Sequence, residues 1–354
     1  SADNASATAA NSTPAAATPA PETAPAAAPA PAATPAAAPA ANSADAARDA
    51  LKQKASDATS DKNLEQVFKA TEKTYSLSKK GQWSLNYDLS YSFYRDSRID
   101  IALDPDASTI TRLRIQDDAQ HSFVNSFDLS YGLMDNLTLS TSLPLIYKLD
   151  TLAGKEVTGL GDISVGLRWQ PVPLKRGLPT TTLSCSLSTA TGDSPYDINT
   201  SKDLSTGKGY YSVSAGVSMS KVTDPIVIFG STSISLATKV SDLNQARGSR
   251  LLRSVDPGTS LGASFGFAYS LNYDVSMSAS YQHSISANSR YTFSDDTVVE
   301  PQAQVSGSVN FSLSLRTSPK RIINLSMGYG LTEDSPDINL GFSMPLEFLG
   351  LSAE

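Results

Sequence analysis

Few side chains in this chain of 354 residues are equipped for chemistry. It has two histidines, His121 and His283, and one cysteine, Cys185. A hydrolase built on a strand face needs a nucleophilic serine two places from its histidine. Phe123 and Ile285 occupy those places, so both histidines read as outward residues near strand ends. Cys185 shares its parity with Leu183 and Leu187 and reads as a small hydrophobe. A lone cysteine allows no internal disulfide. Gly207-Lys208-Gly209 lacks the Ser or Thr that follows the lysine of a phosphate loop. Gly159-Leu160-Gly161-Asp162 is too short for a dinucleotide site. Asp104 and Asp106 have a spacing that Ca²⁺ loops use, but read first as a solvated loop. The expectation is a protein that is not an enzyme, with no catalytic residue, metal or cofactor. The net charge of −7 argues against a nucleic-acid partner.

The residues that remain informative are organised by a period of two. From Val299 to Leu315, Val299, Ala303, Val305, Val309, Phe311, Leu313 and Leu315 share one parity. Glu300, Gln302, Gln304, Ser306, Ser308, Asn310, Ser312 and Ser314 share the other. Such alternation is a β-strand with one greasy and one wet face. The run exceeds the about 9–11 residues that a tilted strand needs to cross a bilayer. From Gln82 onward about twelve strands of this kind follow, beginning with Trp83, Leu85, Tyr87, Leu89, Tyr91 and Phe93. The last carries Ile338, Leu340, Phe342, Met344, Leu346 and Phe348.

Alternation alone fits a soluble sandwich as well as a membrane barrel. Three features favour the barrel. Short and long connections alternate, with long ones at 97–120, 192–209 and 241–256. Aromatic residues gather at both strand ends: Trp83, Tyr131, Trp169, Tyr273 and Phe348 near the short turns, and Phe93, Phe123, Tyr147, Tyr211, Tyr281 and Tyr329 near the long loops. Charges avoid the middle of the greasy faces, where they are costly. The expected fold is an all-β transmembrane barrel of about twelve antiparallel strands over residues 81–354, embedded in outer-membrane lipid. Its pore-lining candidates are Asp88, Asp128, Asp162, Arg168, Lys239, Glu300 and Glu347.

Residues 1–43 are mostly Ala, Pro, Thr and Ser, which cannot bury a core and read as a disordered spacer. Residues 44–80 lose the prolines and gain helix formers. After Asp61, an N-cap residue type, Leu64, Val67, Phe68, Thr71 and Tyr75 recur on one helical stripe. Lys62, Glu65, Gln66, Lys69, Glu72 and Lys73 surround it. So short a helix is marginal alone and needs a surface. Twelve strands about 4.8 Å apart and tilted about 40° give a lumen roughly 12 Å wide after side chains are subtracted. A helix is about 10–12 Å across. The segment is therefore expected either to plug the pore or to lie on the membrane surface as an amphipathic anchor, with the lumen size favouring the plug. The opening Ser-Ala-Asp-Asn has no basic start or apolar run, as expected of an exported protein already processed.

At Gly159-Leu160-Gly161-Asp162-Ile163-Ser164-Val165-Gly166-Leu167-Arg168-Trp169 the chain resembles an outer-membrane transporter family linked to phenol meta-pathway degradation. The stretch from Leu204-Ser205-Thr206-Gly207-Lys208-Gly209-Tyr210-Tyr211 to Lys221-Val222-Thr223-Asp224-Pro225 is similar too. The order of linker, short helix and barrel resembles the secretion channels of the Fap functional-amyloid system. That resemblance implies a homotrimer in the bacterial outer membrane, with a periplasmic N-terminal segment, a helix plug and extracellular long loops. It implies export of unfolded amyloid subunits as cargo. The opposing expectation is a passive uptake channel for small molecules, aromatic ones among them. A lateral gap or an outward greasy pocket would favour uptake, and a smooth hydrophilic bore would favour export.

Overall fold

A computed structural model describes residues 77–94 and 121–346, apart from breaks at 152–153, 176, 200–202, 224–225, 248–249, 273, 302, 319–320 and 333. The strands are β1 (Trp83–Phe93), β2 (His121–Met134), β3 (Leu137–Asp150), β4 (Lys155–Leu160), β5 (Ser164–Trp169) and β6 (Thr180–Ser188). They continue as β7 (Ser212–Thr223), β8 (Ile226–Ala237), β9 (Gln245–Arg247), β10 (Arg250–Asp256), β11 (Ser260–Ser270) and β12 (Val275–Ser286). The last five are β13 (Arg290–Phe293), β14 (Val298–Val299), β15 (Gln304–Ser318), β16 (Arg321–Gly330) and β17 (Ile338–Leu346).

Thirteen of these form one antiparallel sheet in the order β2-β1-β17-β16-β15-β12-β11-β8-β7-β6-β5-β3-β4. The sheet closes because β2 also pairs with β3, as in Phe123↔Tyr147 and Asp128↔Ser142. β4 and β5 both pair with β3, at Leu145–Asp150 and Leu137–Ser142 respectively. They share one place, so the wall counts twelve strands. The first and last strands of the wall are neighbours, from Leu85↔Leu346 to Phe93↔Ile338.

The greasy parity faces outward. Phe265 is 65% exposed, Leu261 54% and Phe311 49%. A water-soluble surface does not carry so continuous an apolar band, whereas lipid requires it. Phe311 and Leu313 are not buried between stacked sheets, which settles sandwich against barrel. The polar parity faces the lumen. Its hydroxyls bond across neighbouring strands: Ser231 to Ser264 at 2.7 Å, Ser260 to Ser286 at 2.8 Å, Ser278 to Ser312 at 2.5 Å. Ser214 donates to Ser235 at 3.0 Å and Ser314 to Asn324 at 2.6 Å.

A second sheet, β14-β13-β10-β9, is built from the long loops. Leu243, Leu252, Val255, Tyr291, Phe293 and Val299 form its core together with Tyr196 from the β6–β7 loop. This cap corrects the reading of one continuous strand from Val299 to Leu315. Val299 belongs to β14 and β15 starts at Gln304, because Pro301 cannot donate to a ladder.

Candidate functional site

The wall is irregular beside β3, along a seam whose cause lies in that strand. The carbonyl of Pro144 accepts from Gly161 N at 2.8 Å. The proline nitrogen points to the same side and donates nothing. β4 ends at Leu160 and β5 begins at Ser164. Gly161 permits the close approach, since a Cβ there would stand 2.6 Å from Ile146 Cδ1 and 3.1 Å from Pro144 Cγ.

On its other side β4 meets no strand. The β6–β7 loop fills that edge with side chains. Thr189 N and Oγ1 both donate to Ile163 O at 2.9 Å. Ile163 N donates to Thr191 Oγ1 at 2.8 Å, and Thr191 Oγ1 donates to Gly161 O at 3.0 Å. Thr206 Oγ1 donates to Leu160 O at 2.9 Å and accepts from Asp193 N at 2.8 Å. Asp162 holds the loop from the wall side: Oδ1 accepts from Gly192 N at 3.0 Å and Oδ2 from Lys208 N at 2.7 Å. A Cβ on Gly207 would come within 2.5 Å of Asp162 Oδ1, so this packing needs glycine.

The same loop ties the seam to the cap. Gln245 Nε2 donates to Pro195 O at 2.8 Å and Ile198 O at 2.6 Å. Arg247 donates through Nε to Gln245 Oε1 at 3.0 Å and through Nη2 to Pro195 O at 3.3 Å. Burial pushes the Tyr210 hydroxyl up to about 12, and the Asp162 carboxylate adds to the rise. Burial also lowers the Lys208 ammonium, which Asp162 partly offsets. Tyr196 is raised well above the ordinary range by burial, then by Tyr291 and Tyr210, against a pull from Arg247.

The expected pore-lining residues divide. Asp88, Asp128 and Arg168 lie on the inward parity of β1, β2 and β5. Asp88 and Asp128 are in hydrogen-bond reach of each other, Ser343 bonds Asp88, and Arg168 feels the charge of Asp128. Asp162 is not free to line a pore, being occupied by the loop N–H groups. Glu300 lies in the cap, where its carboxylate accepts from Arg290 Nε at 2.7 Å. Lys239 follows the end of β8 and is exposed, outside the wall. Both were placed on the wall by a parity that continues past the true strand ends. Glu347 lies outside the described residues, as do Tyr273 and Phe348 of the short-turn girdle and Leu64, Val67, Phe68, Thr71 and Tyr75 of the helical stripe. Trp83 and Tyr131 pack together with ring centroids 4.4 Å apart, and Trp169 is exposed on the same belt. At the other end Tyr91, Phe93, Phe123 and Tyr147 form a chain of ring contacts through His121. His121 and His283 each hydrogen-bond a tyrosine on their own face.

A family model described as putative MetA-pathway of phenol degradation matches residues 105–348. The chain belongs to that family. The two stretches that carry the resemblance, around Gly159 and around Gly207, are the two that meet at the seam. Among solved structures, the barrel is similar to an outer membrane channel from Pseudomonas putida F1. The TM-score is 0.56 at 14% identity, over 77% of this chain and 97% of that one. A mutant of the TodX monoaromatic hydrocarbon channel matches at TM-score 0.40 and 8% identity, over 77% of this chain and 91% of that one. The translocator domain of the autotransporter NalP from Neisseria meningitidis matches at 0.39 and 11%, over 87% and 100%. At these identities the first likeness speaks for the fold, and the lower two carry no further weight.

Proposed function

We propose that the protein is a channel of the bacterial outer membrane that takes up small, weakly polar molecules, aromatic ones among them. Its short turns and N-terminal segment face the periplasm, and its cap faces outward. The observation that carries this reading is the seam. Most of the wall is held by backbone ladders. Beside β4 it is held by three threonine side chains, one carboxylate and the single backbone bond from Thr189 N to Ile163 O, and these can part without unfolding a strand. A solute with an apolar body gains little from a hydroxyl-lined lumen and gains from leaving sideways into lipid. The family description, which refers to phenol degradation, supports the same class of solute.

One observation favours a second reading, export of an unfolded polypeptide such as an amyloid subunit. The lumenal serines largely bond to one another, so they offer few sites where a passing chain would stick. Deleting the gene in its host separates the two. Slower entry of a labelled phenol, with secreted proteins unchanged, supports uptake. Fibril subunits trapped in the periplasm, with phenol entry unchanged, would overturn it.

A further inference from the structure

The β6–β7 loop lies on the lumen side of the wall. Gly159 is on the inward parity of β4, opposite Ile146. A Cβ there would stand 3.0 Å from Thr206 Cγ2 and 3.4 Å from Asp193 Oδ2. Within this loop the backbone is pinned on both sides of Lys208. A Cβ on Gly207 would meet Asp162 and Gly192, and one on Gly209 would meet Ser194 and Tyr196. Gly209 also has a φ of 76°, a left-handed conformation that favours glycine. Lys208 N donates to Asp162 Oδ2 at 2.7 Å, so the main chain here is fixed while the lysine side chain takes no part in the seam.

Two side-chain tips are left over at this place. The Lys208 ammonium makes no hydrogen bond or ion pair among the described residues, and neither does the Tyr210 hydroxyl. Both feel the charge of Asp162, which gathers them around one carboxylate. Its two oxygens are already taken by Gly192 N and Lys208 N. Protein surrounds both side chains closely enough to strip water from them, which pushes the ammonium down and the hydroxyl up. Yet each residue keeps part of its surface open. A side chain that is deep and still accessible lines an inner space, here the long-loop mouth of the lumen. The Tyr210 ring packs against the cap core that holds Tyr196.

An ammonium and a hydroxyl without partners in such a place are costly, and a ligand that brings an acceptor removes the cost. The charges of Lys208 and Asp162 sum to zero, so an uncharged solute leaves the balance intact, whereas an anion would meet the Asp162 carboxylate. A ring on the solute would gain from the Tyr210 ring and from the ammonium beside it. We propose that Lys208 and Tyr210 form a solute subsite at this mouth, in which the ammonium and the phenolic hydroxyl bind the oxygen of an uncharged aromatic hydroxyl compound. This inference rests on reading the protein as an uptake channel, and it adds which solutes are held and by which atoms. A pure hydrocarbon would leave both tips unpaired and is held less well.

Protection of Lys208 from acetylation tests the subsite, with the full chain in nanodiscs and phenol as the probe. Brief treatment with acetic anhydride, read by mass spectrometry, should modify Lys208. Phenol should slow that reaction while Lys239, exposed and outside the wall, reacts as before. Toluene at the same concentration should give no protection. Tyr210→Phe keeps the ring and removes one bond, so it should raise the phenol concentration for half protection by roughly fivefold. In cells, Lys208→Met should raise the half-saturating concentration for labelled phenol entry by roughly tenfold and leave labelled toluene entry unchanged. The backbone N–H at 208 still reaches Asp162 in that variant, and heat-modifiable migration on gels confirms its barrel. A Lys208 that the reagent never reaches, that phenol does not shield, or that toluene shields equally would overturn the subsite. The uptake reading survives that result as long as deleting the gene still slows phenol entry. If the deletion leaves phenol entry unchanged, the uptake reading falls, and the subsite loses its role with it.

Discussion

Replacing Asp162 by alanine should release the β6–β7 loop from the wall while leaving the barrel intact. The side chain accepts two backbone N–H bonds, from Gly192 at 3.0 Å and Lys208 at 2.7 Å. A hydrogen bond to a charged acceptor contributes about 1.5–3 kcal/mol, so two lost bonds amount to about 3–6 kcal/mol. Asp162 is only half-buried, and water replaces part of each bond. A loss of about 2–4 kcal/mol is the expected outcome. Each 1.4 kcal/mol is a factor of ten, so amide-exchange protection at Gly192 and Lys208 should fall by roughly 30- to 1,000-fold. Amides in the regular ladder, such as those of Leu167 and Cys185, should keep theirs. Asp162→Asn keeps one acceptor and turns an N–H₂ toward the other donor, so it should show about half the effect in free energy. If Asp162→Ala forms the barrel and leaves protection at Gly192 and Lys208 unchanged, the carboxylate does not hold the seam and the lateral route loses its basis.

Three further outcomes are expected. Phe265→Arg places a charge on the lipid face at mid-strand and should destabilise the barrel by about 2–4 kcal/mol in denaturant unfolding from lipid, against little change for Ser264→Thr. Leu252→Ala in the cap, where the side chain is 0% exposed, should cost about 2–5 kcal/mol locally. Proteolysis of the cap should then speed up while the barrel still migrates as a folded species. Tyr210 titrates at about 12 when docked and near 10 when released, so the released loop loses its proton first. The contribution of Tyr210 to loop docking is therefore unchanged below about pH 10 and is lost as pH rises from about 10 to 12. Tyr210→Phe should reduce that pH dependence in an amide-exchange titration of Gly192, leaving the part due to Tyr196 and Lys208 of the same loop.

The barrel was legible because one rule acts on every strand. A side chain facing lipid must be apolar, and its neighbour facing the lumen is free to be serine. Twelve runs of alternation therefore mark twelve wall strands. The cap was not legible for the complementary reason. Its strands are as short as two residues, and its core is made between loops far apart in the chain, Tyr196 with Leu252 and Phe293. Parity even misled at Pro301, where alternation runs unbroken past a residue that cannot join a ladder. The seam was half visible. Pro144 inside a strand and the run Gly159-Leu160-Gly161-Asp162 are local signals of an interruption. What fills it depends on Thr189, Thr191 and Thr206, and no periodicity connects them to Leu160 and Ile163.

Because β1 pairs with β17, the barrel cannot shut until the C-terminal strand has left the ribosome and found the N-terminal one. Most other partners in the wall are near neighbours in sequence and can zip as hairpins, whereas this pairing joins residues about 250 positions apart. Long-range pairing is the slow kind. A half-made sheet would offer two raw edges during that wait, Leu85 to Phe93 and Ile338 to Leu346. A slip of one residue there would turn Phe342 and Leu340 toward the lumen. Assembly in the membrane is thus most vulnerable at its final step, and that is where a chaperone or a protease would have most to gain by inspecting the chain.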